Sequence, residues 1–289
     1  MSDYAHPERI AGTQWAADHL DGPNVRFVEV GFSADAYVSG HIPGAVYWSW
    51  NGSVLQAGSR DILDKAGLET QLAQAGIRWD TTVVLYDGLS NLLAAMALWM
   101  LTIYGHQDVR LLDGDRAKWT REGRPTTAEV PDIQPTPYEA EKPDWTLRAH
   151  RDLVLEGIGN ANRVLVDART TAMYSGEDPM GGSFGGHIPG AVNLPALMRM
   201  ENGQFAGWQT LTTNADGTFK SADELRALFE EKGITSDKEI ITYCVRGGLS
   251  THLWFVLKYL LGYPEVREYD GSWAEWGNLV GVPVERANA

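Results

Sequence analysis

Cys244 is the residue whose type and setting most favour covalent chemistry, and it is the only cysteine in 289 residues. It follows a short β-rich run, 239–243, and precedes a loop with Arg246, Gly247 and Gly248 and an apolar stretch long enough for a helix. A helix N-terminus or a nearby cation lowers the pKa of a thiol, and glycines let N–H groups turn inward as an anion-binding nest. The setting predicts a thiolate able to carry a persulfide. The alternative is a buried, inert cysteine.

The composition excludes several classes of protein. A single cysteine rules out an internal disulfide and a cysteine-rich zinc site. A net charge of −14 argues against binding nucleic acid or an anionic membrane. No apolar run reaches about 18 residues, so the longest candidate, 92–104, is predicted to be a buried helix. The first ten residues lack a signal or transit pattern, and we expect a cytoplasmic protein.

The chain repeats itself. The sequence His-Ile-Pro-Gly-Ala-Val occurs at 41–46 and again at 187–192, an offset of 146 residues. Further along, identical residues recur at an offset of 157, among them Tyr86 and Tyr243. The second copy therefore carries 11 extra residues, some of them within 177–183. A period this long indicates a duplicated domain rather than a solenoid unit.

The domain limits follow from a proline-rich stretch without periodicity that begins near residue 124. We predict an N-terminal domain over 1–124, a linker over 125–146 and a C-terminal domain over 147–289. Strands are predicted at 25–30, 82–86, 163–168 and 239–243. Helices are predicted at 91–104, at 251–261, and after the capping box Ser221–Glu224.

Strands that alternate with helices predict an α/β fold in which each domain is a mostly parallel sheet with helices on both faces. Such sheets bind ligands beyond the carboxyl ends of their strands. Cys244 falls at such an end.

Several segments together resemble the tandem-domain rhodaneses, the thiosulfate and 3-mercaptopyruvate sulfurtransferases. They are the paired His-Ile-Pro-Gly-Ala segments, Val-Asp-Ala-Arg at 166–169, the strand-cysteine-loop-helix, and Asp-Gly-Ser-Trp-Ala-Glu-Trp at 270–276. The resemblance extends from about Gly12 to Val284. It implies two rhodanese-like domains.

The resemblance also implies a ping-pong reaction at Cys244. The thiolate takes the sulfane sulfur of a donor, and the persulfide passes it to cyanide, a small thiol or a thioredoxin-like protein. No metal or organic cofactor is implied. The predicted substrate-binding residues are Val245, Arg246, Gly247, Gly248, Leu249 and Arg169.

The residues of the cysteine loop indicate which sulfur donor the protein uses. Mercaptopyruvate enzymes of this family usually place glycine and serine at the positions of Val245 and Arg246, and thiosulfate enzymes more often place basic residues there. Arg246 fits thiosulfate, because a guanidinium binds a sulfonate end bidentately, whereas Val245 does not. Met173 stands where both types commonly carry a second arginine. We therefore favour thiosulfate, with 3-mercaptopyruvate as the alternative.

Asp87 is the counterpart of Cys244 in the first half. An aspartate cannot carry a persulfide, so the first domain is predicted to be inactive and to wall the cleft over Cys244. A strand-end aspartate commonly caps the next helix. The alternative is that Asp87 acts as a catalytic acid or base.

Other polar residues have two interpretations. Arg169 either binds substrate or pairs with Asp167. His41 and His187 either transfer protons or orient the Ile-Pro-Gly turn, and their duplication favours orientation. An architectural role is likewise predicted for Asp113 and Asp270. Trp273 and Trp276 are predicted to belong to the core, with the alternative that one ring lines the cleft.

Two other classes were weighed. A cysteine-dependent phosphatase needs an arginine six residues after its cysteine, where this chain has Ser250. A non-catalytic binding module is disfavoured by the intact cysteine loop.

Overall fold

We describe the protein from a computed structural model, which covers residues 3–196 and 210–286. These residues form two compact units. One consists of Glu8–Trp145 with Asn214–Phe219. The other consists of 3–7, 146–196, 210–213 and 220–286. Between 125 and 144, within the predicted linker, there is no helix or strand.

The first unit is built on a five-stranded sheet in the order β1-β5-β4-β2-β3, with every neighbouring pair parallel. Its strands are β1 Ile10–Gly12, β2 Val25–Gly31, β3 Val46–Ser49, β4 Thr82–Tyr86 and β5 Val109–Asp113. Its α-helices are α1 Thr13–Asp18, α2 Asp35–Ser39, α3 Lys65–Gln74, α4 Leu92–Ile103 and α5 Asp115–Arg121. A π-helical turn spans Trp50–Val54.

The second unit repeats this order in a four-stranded parallel sheet, β7-β6-β8-β9. Its strands are β6 Arg163–Asp167, β7 Val192–Asn193, β8 Glu239–Tyr243 and β9 Val266–Glu268. Its α-helices are α6 Arg151–Glu156, α7 Thr171–Ser175, α8 Ala222–Glu230, α9 Gly248–Phe255 and α10 Ser272–Trp276. A π-helical segment, Val256–Leu260, continues α9, and short 3-10 turns lie at Pro7–Arg9 and Trp145–Leu147.

The α/β prediction is confirmed, and the strongest local patterns gave the most accurate bounds. Strands at 82–86 and 239–243 lie where the buried apolar runs predicted them. The helix predicted at 91–104 is α4, and both hydrogen bonds of the Ser221–Glu224 capping box form at the start of α8. The helix predicted from residue 251 begins earlier, at Gly248.

Helices cover the sheet of the first unit on both sides. Val84 and Tyr86 of β4 pack in a cluster with Ala16 of α1 and Trp119 of α5. Side chains alternate along a strand, so Val83 and Leu85 point to the opposite face, and α4 packs on β4. The apolar residues of α4 are buried along its length, as a helix enclosed on all sides requires.

None of the described helices is long and apolar enough to cross a membrane. In the same part of the chain, no three His, Cys, Asp or Glu side chains come together as a metal-ion site.

Candidate active site

Cys244 lies directly after β8, and α9 begins four residues later at Gly248. The intervening loop turns sharply at Gly247, whose φ of 89° is a conformation that glycine adopts readily. The positive end of the α9 dipole therefore faces the cysteine loop. The cysteine itself is 1% exposed.

The thiol lies among polar groups of its own loop and helix. The Ser250 hydroxyl and the backbone N–H groups of Ser250 and Arg246 lower the pKa of Cys244. Burial nevertheless raises the pKa of the thiol, and the nearby charge of Glu268 adds to that rise. The net shift of the Cys244 pKa is upward, opposite to the expectation from the sequence. That expectation included the dipoles of the loop and helix but not the desolvation of a buried sulfur.

The backbone of the cysteine is held by the start of α10. Its N–H donates to the Ser272 hydroxyl at 3.0 Å, and its carbonyl accepts the Trp273 N–H at 2.9 Å. Ser272 has a φ of 53°, an uncommon value for a residue with a side chain. The Asp-Gly-Ser-Trp segment thus fixes the position of the cysteine.

The predicted loop residues differ in exposure. Arg246 is exposed, Val245, Gly248 and Leu249 are partly buried, and Gly247 is buried. Arg246 reaches the thiol through its backbone N–H, and its guanidinium forms no ion pair within the described residues. The extra segment of the second copy lies against this loop, since a Cβ built on Gly181 would stand 2.7 Å from Val245 Cγ1.

Arg169, the remaining predicted substrate-binding residue, is fully buried. Its Nε and Nη2 bind the Asp167 carboxylate at 3.0 and 2.6 Å, and Nη2 also donates to the Gly186 carbonyl at 2.7 Å. Its guanidinium stacks over the Trp273 ring at 4.3 Å. Nη1 has no hydrogen-bond partner in the described part of the chain. The pair with Asp167 forms, which is the structural alternative weighed for this residue.

The two histidines of the duplicated turn make the same contact in each unit. Nδ1 of His41 lies 2.8 Å from the Tyr37 carbonyl, and Nδ1 of His187 lies 2.8 Å from the Tyr174 carbonyl. Each imidazole also stacks on the ring of that tyrosine. These contacts orient the turn.

The other duplicated residues are likewise used in packing and pairing. Asp270 forms a bidentate ion pair with Arg148, at 2.8 and 2.7 Å. Asp113 accepts a backbone hydrogen bond within the first unit. Trp273 and Trp276 are buried in the core of the second unit.

Glu268 is a site residue that the sequence reasoning missed. This carboxyl is fully buried on β9, and it accepts hydrogen bonds from the hydroxyls of Thr242 and Ser250, each at 2.5 Å. Burial raises its pKa well above the usual range of a glutamate. The signal was present in the repeat: at an offset of 157, the counterparts of Thr242, Ser250 and Glu268 are Leu85, Leu93 and Leu111.

Asp87 fills the equivalent loop of the first unit with a buried carboxyl group, whose pKa is raised by that burial. Its Oδ1 accepts the N–H groups of Leu89 and Asn91 at 2.7 and 2.8 Å. Its Oδ2 accepts those of Leu93 and Ala94 at 2.7 and 3.0 Å. The carboxylate caps the start of α4, as a strand-end aspartate was expected to do.

The buried carboxyl of Asp115 should make the stability of the first unit depend on pH. Burial, and then the charge of Asp87, raise its pKa to about 7. The folded state therefore holds a proton that the unfolded state has lost, and stability falls as pH rises from about 4 to 7. We expect up to about 4 kcal/mol of this loss to come from Asp115.

Denaturant unfolding between pH 4 and 7 measures this slope. Asp115→Asn should make the slope shallower without abolishing it, because burial also raises the pKa of Asp113, to about 6. Asp80→Asn, at an exposed carboxylate of the same unit, should leave the slope as in the wild type. Equal slopes in all three proteins would contradict the assignment.

Known proteins resemble this chain over both halves. The rhodanese-like domain family matches residues 12–122 and 150–279. The sulfur carrier protein TtuD of Thermus thermophilus is 46% identical over 98% of each chain. A Saccharopolyspora erythraea protein named "Putative thiosulfate sulfurtransferase" is 42% identical over 96% of each chain.

Two solved structures share the fold of the whole chain. A variant of EanB, solved as a cysteine persulfide in a tetrahedral intermediate state with ergothioneine, superimposes with a TM-score of 0.88. It is 25% identical, and the match covers 100% of this chain and 73% of that one. YnjE superimposes with a TM-score of 0.82 at 25% identity, covering 100% of this chain and 71% of that one.

Proposed function

This chain belongs to the rhodanese-like domain family, with one such domain in each half, and on that premise we propose that it is a thiosulfate sulfurtransferase working through a Cys244 persulfide. The observation that carries the proposal is the thiol at the start of α9, contacted by two backbone N–H groups and one hydroxyl. Relatives that carry the name "Putative thiosulfate sulfurtransferase" support the donor class.

In the first half-reaction the Cys244 thiolate attacks the outer sulfur of thiosulfate. A sulfur–sulfur bond forms to the enzyme, the bond inside thiosulfate breaks, and sulfite leaves with the electron pair. The backbone N–H groups of Arg246 and Ser250 favour the charged form of this sulfur. Preorganised donors of this kind stabilise charge without reorganising during the reaction.

In the second half-reaction a nucleophilic acceptor attacks the outer sulfur of the persulfide. The thiolate leaves, and Cys244 returns to its starting form. Cysteine suits this two-step transfer because sulfur is nucleophilic and also departs readily. The acceptor is cyanide in an assay, and a small thiol or a thioredoxin-like protein in the cell.

A protein acceptor has support of its own. One relative is named a sulfur carrier protein. In this chain the segment that contacts Val245 exposes two large apolar side chains, Met180 and Phe184. Exposed apolar side chains are the kind of surface to which another protein binds.

Arg246 is the proposed contact for the sulfonate end of the donor. Its exposed guanidinium stands one loop residue from Cys244 and can bind two sulfonate oxygens. Arginine does not offer the short, neutral hydroxyl that mercaptopyruvate enzymes of this family place here. For this reason mercaptopyruvate is the alternative donor and thiosulfate the favoured one.

Steady-state rates with each donor, and the mass of the intact protein after each, test the proposal. We expect a gain of one sulfur atom with thiosulfate and a higher kcat/KM for thiosulfate than for mercaptopyruvate. Arg246→Ala should lower kcat/KM for thiosulfate about 10- to 100-fold, the value of one or two charge-assisted hydrogen bonds. Arg60→Ala, at an exposed arginine of the other unit, is the matched control. A clear preference for mercaptopyruvate would overturn the donor assignment and leave the persulfide in place.

A further inference from the structure

The connection between a short helix and the duplicated His-Ile-Pro-Gly turn is much longer in the second unit than in the first. One residue, Gly40, separates α2 from His41, whereas eleven residues, 176–186, separate α7 from His187. We call these eleven residues the insert loop. Of the two units, the one that carries the cysteine has this loop, so the shared fold does not require it.

The insert loop is fixed through its own main chain. Its two ends meet, since a Cβ built on Gly176 would stand 3.0 Å from the backbone N of Gly186. Three of its carbonyl groups accept side-chain hydrogen bonds of 2.9–3.2 Å from residues near the C-terminus: Gly181 from Asn278, Phe184 from Trp273 and Gly185 from Arg286. These bonds therefore do not depend on which side chains the loop exposes.

The insert loop lies against the residue that follows Cys244. A Cβ built on Gly181 would stand 2.7 Å from Val245 Cγ1, so the two loops are in close contact. Met180 and Phe184 are one and three residues from Gly181, at most about 11 Å along the chain. Their side chains are 55% and 54% exposed. Two large apolar groups thus stand beside the loop that holds the reactive sulfur.

A protein that brings a thiol to Cys244 has to cover these side chains. The cysteine is 1% exposed, so an acceptor reaches its persulfide only by seating on the surface around the cysteine loop. A standard protein interface covers about 800 Å² of each partner, a disc of roughly 16 Å radius. Met180 and Phe184 fall within such a disc centred on the cysteine loop. Cyanide or a small thiol covers far less surface and touches neither.

The chemistry of this surface fits a thiol protein. Methionine adapts its shape to a partner, and aromatic side chains are common anchors of interfaces. The exposed Arg246 guanidinium, which forms no ion pair with any residue that the structure describes, can bind a carboxylate of the partner. On a chain with a net charge of −14, a cation at this place orients the acidic side of a partner. Sulfite has left by then, so the guanidinium is available.

We propose that Met180 and Phe184 form the docking surface for the protein acceptor, a thiol protein with apolar surface around its reactive cysteine and a carboxylate beside it. The inference rests on the proposed function and adds the place where the acceptor binds. The preformed loop keeps the cost of ordering these side chains low.

The transfer to such a partner is a two-electron exchange. The acceptor thiolate attacks the outer sulfur of the Cys244 persulfide, and the electron pair of the broken sulfur–sulfur bond returns to Cys244. A second thiol of the acceptor then displaces hydrosulfide, which takes the proton of that thiol, and the acceptor becomes a disulfide. The dithiol is oxidised and the sulfane sulfur is reduced.

Reduced thioredoxin and dithiothreitol, a protein dithiol and a small dithiol, separate docking from chemistry. Both release hydrosulfide by the same steps, and in a ping-pong reaction kcat/KM for the acceptor reports the second half-reaction alone. We expect Met180→Gln and Phe184→Ser each to lower kcat/KM for thioredoxin about 10-fold, and the double variant about 30- to 100-fold. The values for dithiothreitol and cyanide should stay as in the wild type, because the loop is held by main-chain bonds.

Leu155→Gln is the matched control. This leucine is 41% exposed on α6, whose end lies beside the first residue of β6, at the edge of the sheet opposite Cys244. The control variant should leave all three rates unchanged.

Several results would overturn the docking surface. Equal losses with all three acceptors would show that the insert loop acts on the chemistry, and an unchanged rate with thioredoxin would show that the surface binds no acceptor. A wild type that serves dithiothreitol but not thioredoxin would exclude this class of partner. Self-association of the wild type that the double variant loses, measured by sedimentation, would assign the surface to a second copy of this chain. A wild type that takes sulfur from thiosulfate to none of the three acceptors would instead contradict the proposed function itself.

Discussion

Cys244→Ser is expected to lower kcat/KM for sulfur transfer by about 10⁴-fold or more, the usual effect of removing a catalytic nucleophile. Serine has a far weaker nucleophile than a thiolate and cannot hold a sulfane sulfur as a persulfide. The fold should be retained, because the bonds from Cys244 to Ser272 and Trp273 are made by its backbone.

The measurement pairs the rate with the mass of the protein. The wild type should gain one sulfur atom on incubation with thiosulfate, and the serine variant should gain none. Because the chain has a single cysteine, the added sulfur is assigned without mapping. Transfer that persisted near the wild-type rate in the variant would rule out the persulfide and favour the non-catalytic alternative for this loop.

Asp87→Ala should produce the opposite phenotype at the equivalent position of the first unit. The substitution leaves four backbone N–H groups, three of them buried, without the carboxylate that accepts them. Each unsatisfied group costs about 1–3 kcal/mol, and we expect a loss of about 4 kcal/mol or more in the unfolding free energy of that unit. Sulfur transfer, measured below the unfolding transition, should persist.

Denaturant unfolding followed by tryptophan fluorescence gives the stability. Asp87→Asn keeps one acceptor oxygen and should fall between the wild type and the alanine variant. A change below about 1 kcal/mol for alanine would show that water replaces the carboxylate there. Loss of transfer in a folded Asp87→Ala protein would instead revive the interpretation of Asp87 as an acid or base.

The sequence predicted the elements with strong local patterns. The runs at 82–86 and 239–243 are apolar and sharply bounded, which left little freedom in their limits. β1 and β7, of three and two residues, are too short to leave a pattern and form through pairing with distant strands. The start of α9 was placed too late because Gly247 and Gly248 resemble a loop, although glycine also occupies helix starts.

The sequence predicted the site residues that are neighbours in the chain, but not those that only the fold brings close. Cys244 and its loop are contiguous, so their pattern was visible. Glu268 and Ser272 reach the cysteine only because β9 lies beside β8 and α10 starts beneath the loop. The upward pKa of the thiol has the same origin, since desolvation depends on everything packed around a group. The predicted domain limits, substrate contacts, acceptor and cellular location stay predictions.

The two units are interleaved along the chain, and this affects how they form during translation. Glu8–Trp145 leaves the ribosome long before Asn214–Phe219. The hydrogen bond from the Phe219 amide to Asp113 and the ion pair of Lys118 with Asp216 therefore form only after the later segment has been made. Residues 3–7 leave first of all, yet Ala5 and His6 bind the Leu260 and Tyr259 carbonyls near the other end. Neither unit is made of one continuous stretch of chain. A gene divided after Trp145 would therefore give two polypeptides, each lacking a segment of its own unit and carrying a segment of the other.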